Sequence, residues 1–182
     1  MREQPALTAT PAPAADPTAA PLDTAPTSTV AGTPRLLLVA STGGHLTQLM
    51  ALRPWWENYE RAWVTFDNQH ARSALTGEDI IHAHSPTTRN IPNALRNLAL
   101  ARRTLDALRP DLVVSTGAGV AVPFFAIAHL RGIRTMYIEV IDRIRSRTLT
   151  GRMVYPFVDQ FAVQWQEQTR LYPGAVVIGP TL

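Results

Sequence analysis

Short apolar runs alternate with longer segments of mixed polarity from residue 35 to the end of the chain. The strongest runs are RLLLVA (35–40), AWVTF (62–66), DLVVST (111–116) and RTMYIEV (134–140). Weaker runs lie at 80–82, 159–164 and 175–179. Their length and composition are typical of buried β-strands. Because helical segments separate them, the pattern predicts an α/β fold, a Rossmann-like parallel sheet with helices on both faces.

Three segments between the strands have helical periodicity. They are HLTQLMAL (45–52), IPNALRNLALARRTLDALRP (91–110) and GVAVPFFAIAHLRG (119–132). Between Pro92 and Leu108 the second segment carries three arginines among its leucines, at positions 96, 102 and 103. It predicts either a helix that lies on anionic lipid or a core-facing helix with solvated arginines. The pairs Trp55-Trp56 and Phe124-Phe125 are, in the same way, either interfacial anchors or core residues.

Composition and charge narrow the class of protein. The chain has 182 residues, of which 46% are hydrophobic and 17% charged, which predicts one globular domain. The absence of cysteine excludes disulfides and thiolate metal sites. The net charge of +3 favours anionic partners such as phosphate groups or acidic lipids. With no apolar run long enough to span a membrane and no secretory signal, we expect a cytoplasmic protein that can touch a membrane surface.

Residues 1–34 differ from the rest of the chain. They are rich in Pro, Ala and Thr and have few large apolar side chains to bury. Such a segment cannot offset the entropy that ordering costs, so we predict a disordered tail over 1–34. The globular domain is predicted over 35–182.

The first candidate site is the loop 41–45, STGGH, between the first strand and the first helix. Free backbone amides at a helix N-terminus, approached through glycine, favour a phosphate, so Thr42, Gly43 and Gly44 are candidate phosphate-binding residues. The loop has neither the dinucleotide fingerprint nor the P-loop lysine. The glycines can equally serve only to make the turn. His45 is a candidate phosphate ligand or general base, or a structural residue of the turn.

The second candidate site repeats this arrangement after another strand. Thr116, Gly117 and Gly119 lie in STGAG (115–119), directly before a helix. These residues either close over a bound phosphate or sugar or only form a tight turn between the strand and the helix. Glu139 lies at the end of the strand 134–140, so its carboxylate is expected in the same crevice, where it can bind a sugar hydroxyl or orient a histidine. The alternative is a surface ion-pair cluster with Asp142 and Arg143.

Three segments taken together resemble a known family. They are ASTGGHLTQLMAL, PDLVVSTGAGVAVPFFAIAHLRGIRTMYIEVIDRI and DQFAVQWQEQTRLYPGAVVIGP, and the resemblance covers residues 34–182. They resemble the PssD-like (CpsF-like) family of bacterial exopolysaccharide proteins. That family is similar to the membrane-recruiting subunit of the eukaryotic dolichol-linked UDP-GlcNAc transferase. Both are similar to the N-terminal half of MurG-type GT-B glycosyltransferases.

The resemblance implies one half of a split enzyme. In MurG-like proteins the N-terminal half holds a lipid-diphosphate acceptor at the membrane, and the other half binds the UDP-sugar. We therefore expect an acceptor-side subunit that binds a polyprenyl-diphosphate-linked saccharide and recruits a separate donor-binding glycosyltransferase chain. UDP-sugar would bind through that partner, and the chain would be inactive alone. It would need no cofactor or metal, bind no nucleic acid and lie on the inner face of the plasma membrane.

The resemblance also assigns residues. Gly43, Gly44 and His45 match the first glycine loop of MurG-like proteins, which faces the acceptor diphosphate and whose histidine is a candidate base. Thr116, Gly117 and Gly119 match the second glycine loop. Glu139 matches the glutamate of the His-Glu-Gln-Asn motif, whose other three positions differ here, which indicates a different acceptor contact.

Two other functions compete with this interpretation. One is a scaffold that recruits the catalytic partner to the membrane and touches no substrate. The other is a stand-alone nucleotide-binding enzyme, which the missing dinucleotide fingerprint argues against. His45→Ala distinguishes a scaffold from an acceptor-site base.

Overall fold

The computed structural model describes residues 33–182, and within them one parallel sheet carries all the strands. The strands are β1 (Arg35–Ala40), β2 (Glu60–Phe66), β3 (Ile80–Ala83), β4 (Leu112–Gly117), β5 (Arg134–Ile138), β6 (Gln160–Val163) and β7 (Val176–Val177). The helices are α1 (Gly44–Ala51), α2 (Arg53–Trp56), α3 (Gln69–Ala74), α4 (Ile91–Leu108), α5 (Ala121–Leu130) and α6 (Leu149–Val154), followed by a 3-10 helix, Gln166–Arg170. The predicted Rossmann-like α/β fold is confirmed.

The order of the strands creates a switch point in the middle of the sheet. The order is β3-β2-β1-β4-β5-β6-β7, and every neighbouring pair is parallel. The chain proceeds from β1 outward to β3, then returns to the other side of β1 and proceeds from β4 to β7. Open sheets of this type bind ligands outside the carboxyl ends of the strands where the direction reverses. Both glycine loops leave the sheet at that place, since they follow β1 and β4.

Two hydrophobic layers enclose the sheet because alternate strand residues face opposite sides. Leu37 and Val39 belong to the layer under α4, α5 and α6, and Leu36 and Leu38 to the layer under α1, α2 and α3. Phe124, Phe125 and Trp56 are fully buried in these layers, so they are core residues and not interfacial anchors, whereas Trp55 is 37% exposed.

Helix α4 combines features of both predictions made for it. Near its C-terminus Leu105 is buried, as a core-facing helix requires. Nearer its N-terminus the buried side chains are Asn93 and Asn97, while Leu95 and Leu98 are 61% and 39% exposed. The apolar stripe of the first three turns therefore faces away from the core.

The structure corrects several predicted boundaries. β5 ends at Ile138, two residues before the predicted end, so Glu139 begins a loop. Three short helices, α2, α3 and α6, were not predicted, because four to six residues show too little periodicity. The predicted tail, 1–34, lies outside the described residues except for its last two, and the division at residue 35 stays a prediction. No helix of the described part combines the length and hydropathy needed to cross a membrane.

Candidate functional site

The first glycine loop presents open backbone at a helix N-terminus. Gly43 has a φ of 83°, a left-handed conformation that glycine adopts without strain. Apart from the adjoining residues and the backbone of the helix, no atom of residues 33–182 lies within 4 Å of the position where a Cβ would stand on Gly43 or Gly44. Within the described residues no side chain caps α1 at Gly43. The first-turn amides of α1 are therefore available to an anion in the crevice.

A reciprocal pair of hydrogen bonds joins the two glycine loops. His45 Nδ1 lies 2.8 Å from the carbonyl oxygen of Thr116, and the hydroxyl of the buried Thr116 donates to the carbonyl oxygen of His45 at 2.7 Å. These residues are 71 positions apart in the chain. The pair fixes both the backbone and the ring of His45 relative to the second loop.

The same contact selects the tautomer of the imidazole ring. A carbonyl oxygen only accepts, so Nδ1 must carry the proton that it donates to Thr116. In the neutral ring Nε2 then keeps its lone pair. Because His45 is half-buried, this nitrogen can accept a proton from a group bound in the crevice.

Gly117 allows His45 and Tyr137 to approach each other. A Cβ on Gly117 would stand 2.9 Å from His45 Cε1 and 2.9 Å from the Tyr137 hydroxyl oxygen, closer than side chains tolerate. Gly117 also has a φ of 119°, which strains any other residue. Glycine at this position therefore brings the imidazole and the phenol to the same side of the second loop.

The loop after β3 covers the second glycine loop. Thr87 packs against Gly119, whose Cβ would stand 3.2 Å from the threonine side chain. Asn97 holds this covering loop by donating to the carbonyl of His84 at 2.9 Å and accepting from its amide at 2.8 Å. Asn93 donates to the carbonyl of Pro86 at 3.0 Å. These bonds explain why the buried face of α4 is polar near its N-terminus.

Glu139 lies beneath the crevice rather than in it. Its side chain is fully buried, and its carboxylate accepts from the Thr148 hydroxyl at 3.0 Å and from the Tyr172 hydroxyl. Thr148 in turn caps α6, accepting from the amide of Gly151 at 2.9 Å. The suggested surface ion-pair cluster with Asp142 and Arg143 is therefore wrong. The carboxylate joins the end of β5 to the start of α6.

Burial keeps the two tyrosines of this network protonated. Burial, followed by the charge of Glu139, raises the pKa of Tyr137 far above its usual value. Burial and then the hydrogen bond to Glu139 raise the pKa of Tyr172 in the same direction. Both hydroxyls therefore remain donors at physiological pH. Since Thr148 gives its proton to Glu139, Tyr137 donates toward Thr148 across 3.4 Å.

Three buried glutamines hold the loop that begins at Glu139. Gln48 of α1 accepts from the amide of Ile141 at 3.2 Å and from Gln164 at 2.7 Å. Gln164 also donates to the carbonyl of Glu139 at 2.9 Å, and Gln168 donates to the carbonyl of Val140 at 3.0 Å. Helix α1, which carries His45, is thus tied directly to this loop.

The structure brings most of the sequence-predicted residues together. Both glycine loops and His45 meet at the carboxyl edge between β1 and β4, whereas Glu139 is separated from the crevice by Tyr137 and Thr148. Tyr137, Thr148, Tyr172 and the three glutamines were not predicted as site residues. The only sequence signal for these residues was a polar residue inside or just after an apolar run, such as Gln164 in DQFAVQ.

Comparisons with known proteins agree with this geometry. The "Oligosaccharide biosynthesis protein Alg14 like" family matches residues 58–181. The mouse (Mus musculus) UDP-N-acetylglucosamine transferase subunit ALG14 is 27% identical, covering 80% of this chain and 82% of the relative. The Eremothecium gossypii subunit of the same name is 37% identical over 49% of this chain and 42% of its own length.

Solved structures share the fold at low identity. MurG from Acinetobacter baumannii superposes with a TM-score of 0.66 at 17% identity, covering 80% of this chain and 44% of that chain. UDP-N-acetylglucosamine 2-epimerase from Rickettsia bellii gives a TM-score of 0.66 at 11% identity, covering 82% and 46%. This chain spans less than half the length of either protein. The family match extends over more than half of the sequence, and the chain therefore belongs to the family of Alg14-like oligosaccharide biosynthesis proteins.

Proposed function

We propose that this chain is the acceptor-side subunit of a two-component glycosyltransferase. The observation that carries the proposal is the pairing of the two glycine loops at the switch point, with His45 Nε2 left as a proton acceptor. The complex transfers a sugar from a UDP-sugar to a hydroxyl of a polyprenyl-diphosphate-linked saccharide. A separate partner chain binds the UDP-sugar. The activity for which the relatives are named, that of a UDP-N-acetylglucosamine transferase subunit, supports this assignment.

The residues of the crevice have distinct tasks in this reaction. The amides of the first glycine loop, Thr42–Gly44, and of the outer end of the second, Ala118–Gly119, hold the acceptor diphosphate, because the Gly117 amide already donates to Ser115 Oγ at 2.9 Å. As the acceptor oxygen attacks the anomeric carbon, its proton passes to His45 Nε2, and UDP departs with the bonding electron pair. Thr116 keeps the imidazole in the receptive tautomer. Glu139 is a positioning residue, because its carboxylate is occupied by Thr148 and Tyr172.

The exposed stripe of α4 supports contact with a membrane surface. Ile91, Leu95 and Leu98 are 74%, 61% and 39% exposed on one side of the helix, and Arg102 continues this side one turn further. An apolar stripe followed by arginine fits the boundary between acyl chains and anionic headgroups. Because α4 begins at the carboxyl edge, its N-terminus lies near the second glycine loop, which Thr87 contacts. A membrane-borne acceptor would then enter beside the site.

A more specific proposal concerns the biological setting of the reaction. The resemblance to PssD-like (CpsF-like) proteins supports a setting in bacterial exopolysaccharide synthesis, at the inner face of the plasma membrane. The proposed acceptor-side domain extends over residues 35–182.

Binding measurements on the isolated chain test whether it binds the acceptor while its partner binds the UDP-sugar. We expect tighter binding to nanodiscs that contain a polyprenyl-diphosphate-linked saccharide than to nanodiscs of the same phospholipids without it. We expect no binding of UDP-sugar until the partner chain is added. Stoichiometric UDP-sugar binding by this chain alone would contradict the proposal and would favour a stand-alone nucleotide-binding enzyme.

A further inference from the structure

Residues 142–147, DRIRSR, form a basic loop that the proposed reaction leaves unused, here called the arginine loop. Three guanidinium groups and one carboxylate give it a net charge of +2. All three arginines are exposed, and none of them forms an ion pair within residues 33–182. Like charges this close repel each other unless an anion neutralises them. The loop is therefore electrostatically suited to an anionic ligand.

The base of the arginine loop is closed by hydrogen bonds. Glu139 before the loop and Thr148 after it are joined carboxylate to hydroxyl at 3.0 Å. Between them, Gln168 and Trp165 fix the backbone by donating to the carbonyls of Val140 and Ile141 at 3.0 and 2.8 Å. A loop whose base is held in this way loses less backbone entropy on binding than a free loop would.

Two of the three arginines line an open, shallow depression. Residues 142–146 line a shallow depression of about 500 Å³. Arg147, the next residue along the chain, has its guanidinium carbon 5.2 Å from the ring centre of Tyr172, whose hydroxyl donates to Glu139. Arg143 and Arg145 line the depression itself. Guanidinium is the cation best suited to phosphate, because its planar fork matches two phosphate oxygens at once.

The arginine loop adjoins both glycine loops. It leaves the carboxyl end of β5, the neighbour of β4, and its base touches α1 through Gln48 and Ile141. Thr148 reaches Tyr137, whose hydroxyl lies against Gly117. The glycine loops, STGGH and STGAG, contain no lysine or arginine, and the entire chain contains no lysine. They can offer amide dipoles to a diphosphate but no cationic side chain.

We propose that the arginine loop binds the diphosphate of the lipid-linked acceptor, with Arg143, Arg145 and Arg147 supplying the positive charge that the glycine loops lack. The proposal rests on the proposed function, because it names a further contact for the same acceptor. A phospholipid headgroup offers similar phosphate chemistry, and the test separates the two sources.

The test compares the triple variant R143Q/R145Q/R147Q with a control, R53Q/R72Q/R134Q, that removes the same charge from exposed arginines elsewhere. The probes are farnesyl diphosphate, inorganic pyrophosphate and phosphatidylglycerol vesicles. We expect the loop variant to raise the Kd of both diphosphates at least tenfold and to change vesicle binding less than threefold. The control should change the diphosphate Kd less than threefold, and thermal melts check that both variants fold.

Two results would overturn the arginine-loop proposal. One is an equal diphosphate Kd for the loop variant and the control. The other is a loss of vesicle binding with unchanged diphosphate binding, which would assign the loop to headgroups. A transferase assay with the partner chain separates this outcome from failure of the proposed function. If the loop variant raises the acceptor KM and leaves kcat nearly unchanged, the arginine-loop proposal is supported, whereas unchanged kinetics refute that proposal alone. If the wild-type pair transfers no sugar, the proposed function itself is refuted.

Discussion

His45 and Thr116 hold each other by two hydrogen bonds, from Nδ1 to the threonine carbonyl at 2.8 Å and from the threonine hydroxyl to the histidine carbonyl at 2.7 Å. The contact crosses the gap between the helix after β1 and the end of β4. It makes one rigid unit of two loops that the sequence separates by 71 residues. Any ligand bound at both loops meets an imidazole whose tautomer is already set.

Replacing His45 by alanine tests its role as proton acceptor. We expect the complex of this chain with its donor-binding partner to lose roughly 10²–10⁴-fold in kcat, the usual contribution of a general base. The measurement is UDP release at saturating acceptor. His70→Ala, on the exposed surface of α3, is the matched control and should retain full activity. Full activity of the His45→Ala complex would exclude His45 as the general base and would favour a scaffold role for this chain.

Alanine at Gly117 tests the close approach between the loops. A Cβ there would press on the His45 ring and on the Tyr137 hydroxyl, and the positive φ adds about 1–3 kcal/mol of strain. We expect a lower free energy of unfolding together with a large loss of kcat. Gly132→Ala has a φ of 65° but open space around it, so it carries the strain without the contact. If Gly132→Ala lost as much activity as Gly117→Ala, the contact with His45 would not be responsible.

Glutamine at Leu95 tests the membrane face of α4. Removing one leucine from an apolar contact costs about 1.5 kcal/mol or more, which corresponds to roughly a tenfold weaker partition into vesicles. Leu130, which is 78% exposed at the C-terminal end of α5 and so at the opposite edge of the sheet, provides the control. We expect Leu130→Gln to bind vesicles like the wild type in a sedimentation assay. Equal losses for both variants would show that α4 is not the contact surface.

Glu78 provides a prediction for pH dependence. Partial burial works to raise the pKa of Glu78, but hydrogen bonds from Arg61 and Trp63 outweigh it, and the pKa is lowered below its usual value. A lowered folded-state pKa stabilises the fold above the unfolded-state pKa, and this stability is lost as pH falls through the folded-state pKa.

The matching variant is Glu78→Gln. We expect it to lose about 1–2 kcal/mol of unfolding free energy at pH 7 and little in acid, by denaturant titration at both pH values. Glu57→Gln, which removes an exposed partner of Arg53, should lose less than about 1 kcal/mol at either pH. A Glu78→Gln loss that persisted undiminished in acid would mean that the carboxylate charge is not its source.

The strands and glycine loops could be predicted because their signals are local. A run such as RLLLVA has the length and composition of a buried strand, and a glycine turn directly after it must lie at the carboxyl edge. This reasoning also identified His45 and Thr116 as neighbours of the same crevice. It could not predict their hydrogen bonds, since side-chain pairing between distant segments has no local pattern.

Other features depended on partners that the sequence does not reveal. The sequence did not show whether the leucines of α4 face the core or a lipid surface. The answer depends on the loop at His84 and Pro86, whose hydrogen bonds explain why Asn93 and Asn97 face inward. Glu139 was expected in the crevice because the strand pattern extends past Ile138. Its burial depends on Tyr172, 33 residues later, whose hydroxyl donates a hydrogen bond to the Glu139 carboxylate.

Reconstitution of transfer tests the central claim most directly. This chain and a candidate donor-binding chain from the same organism would be purified separately and assayed for UDP release from UDP-sugars in the presence of lipid-linked acceptor. The account predicts UDP release only when both chains and the acceptor are present. UDP release by this chain alone, at a rate that the second chain does not change, would contradict it.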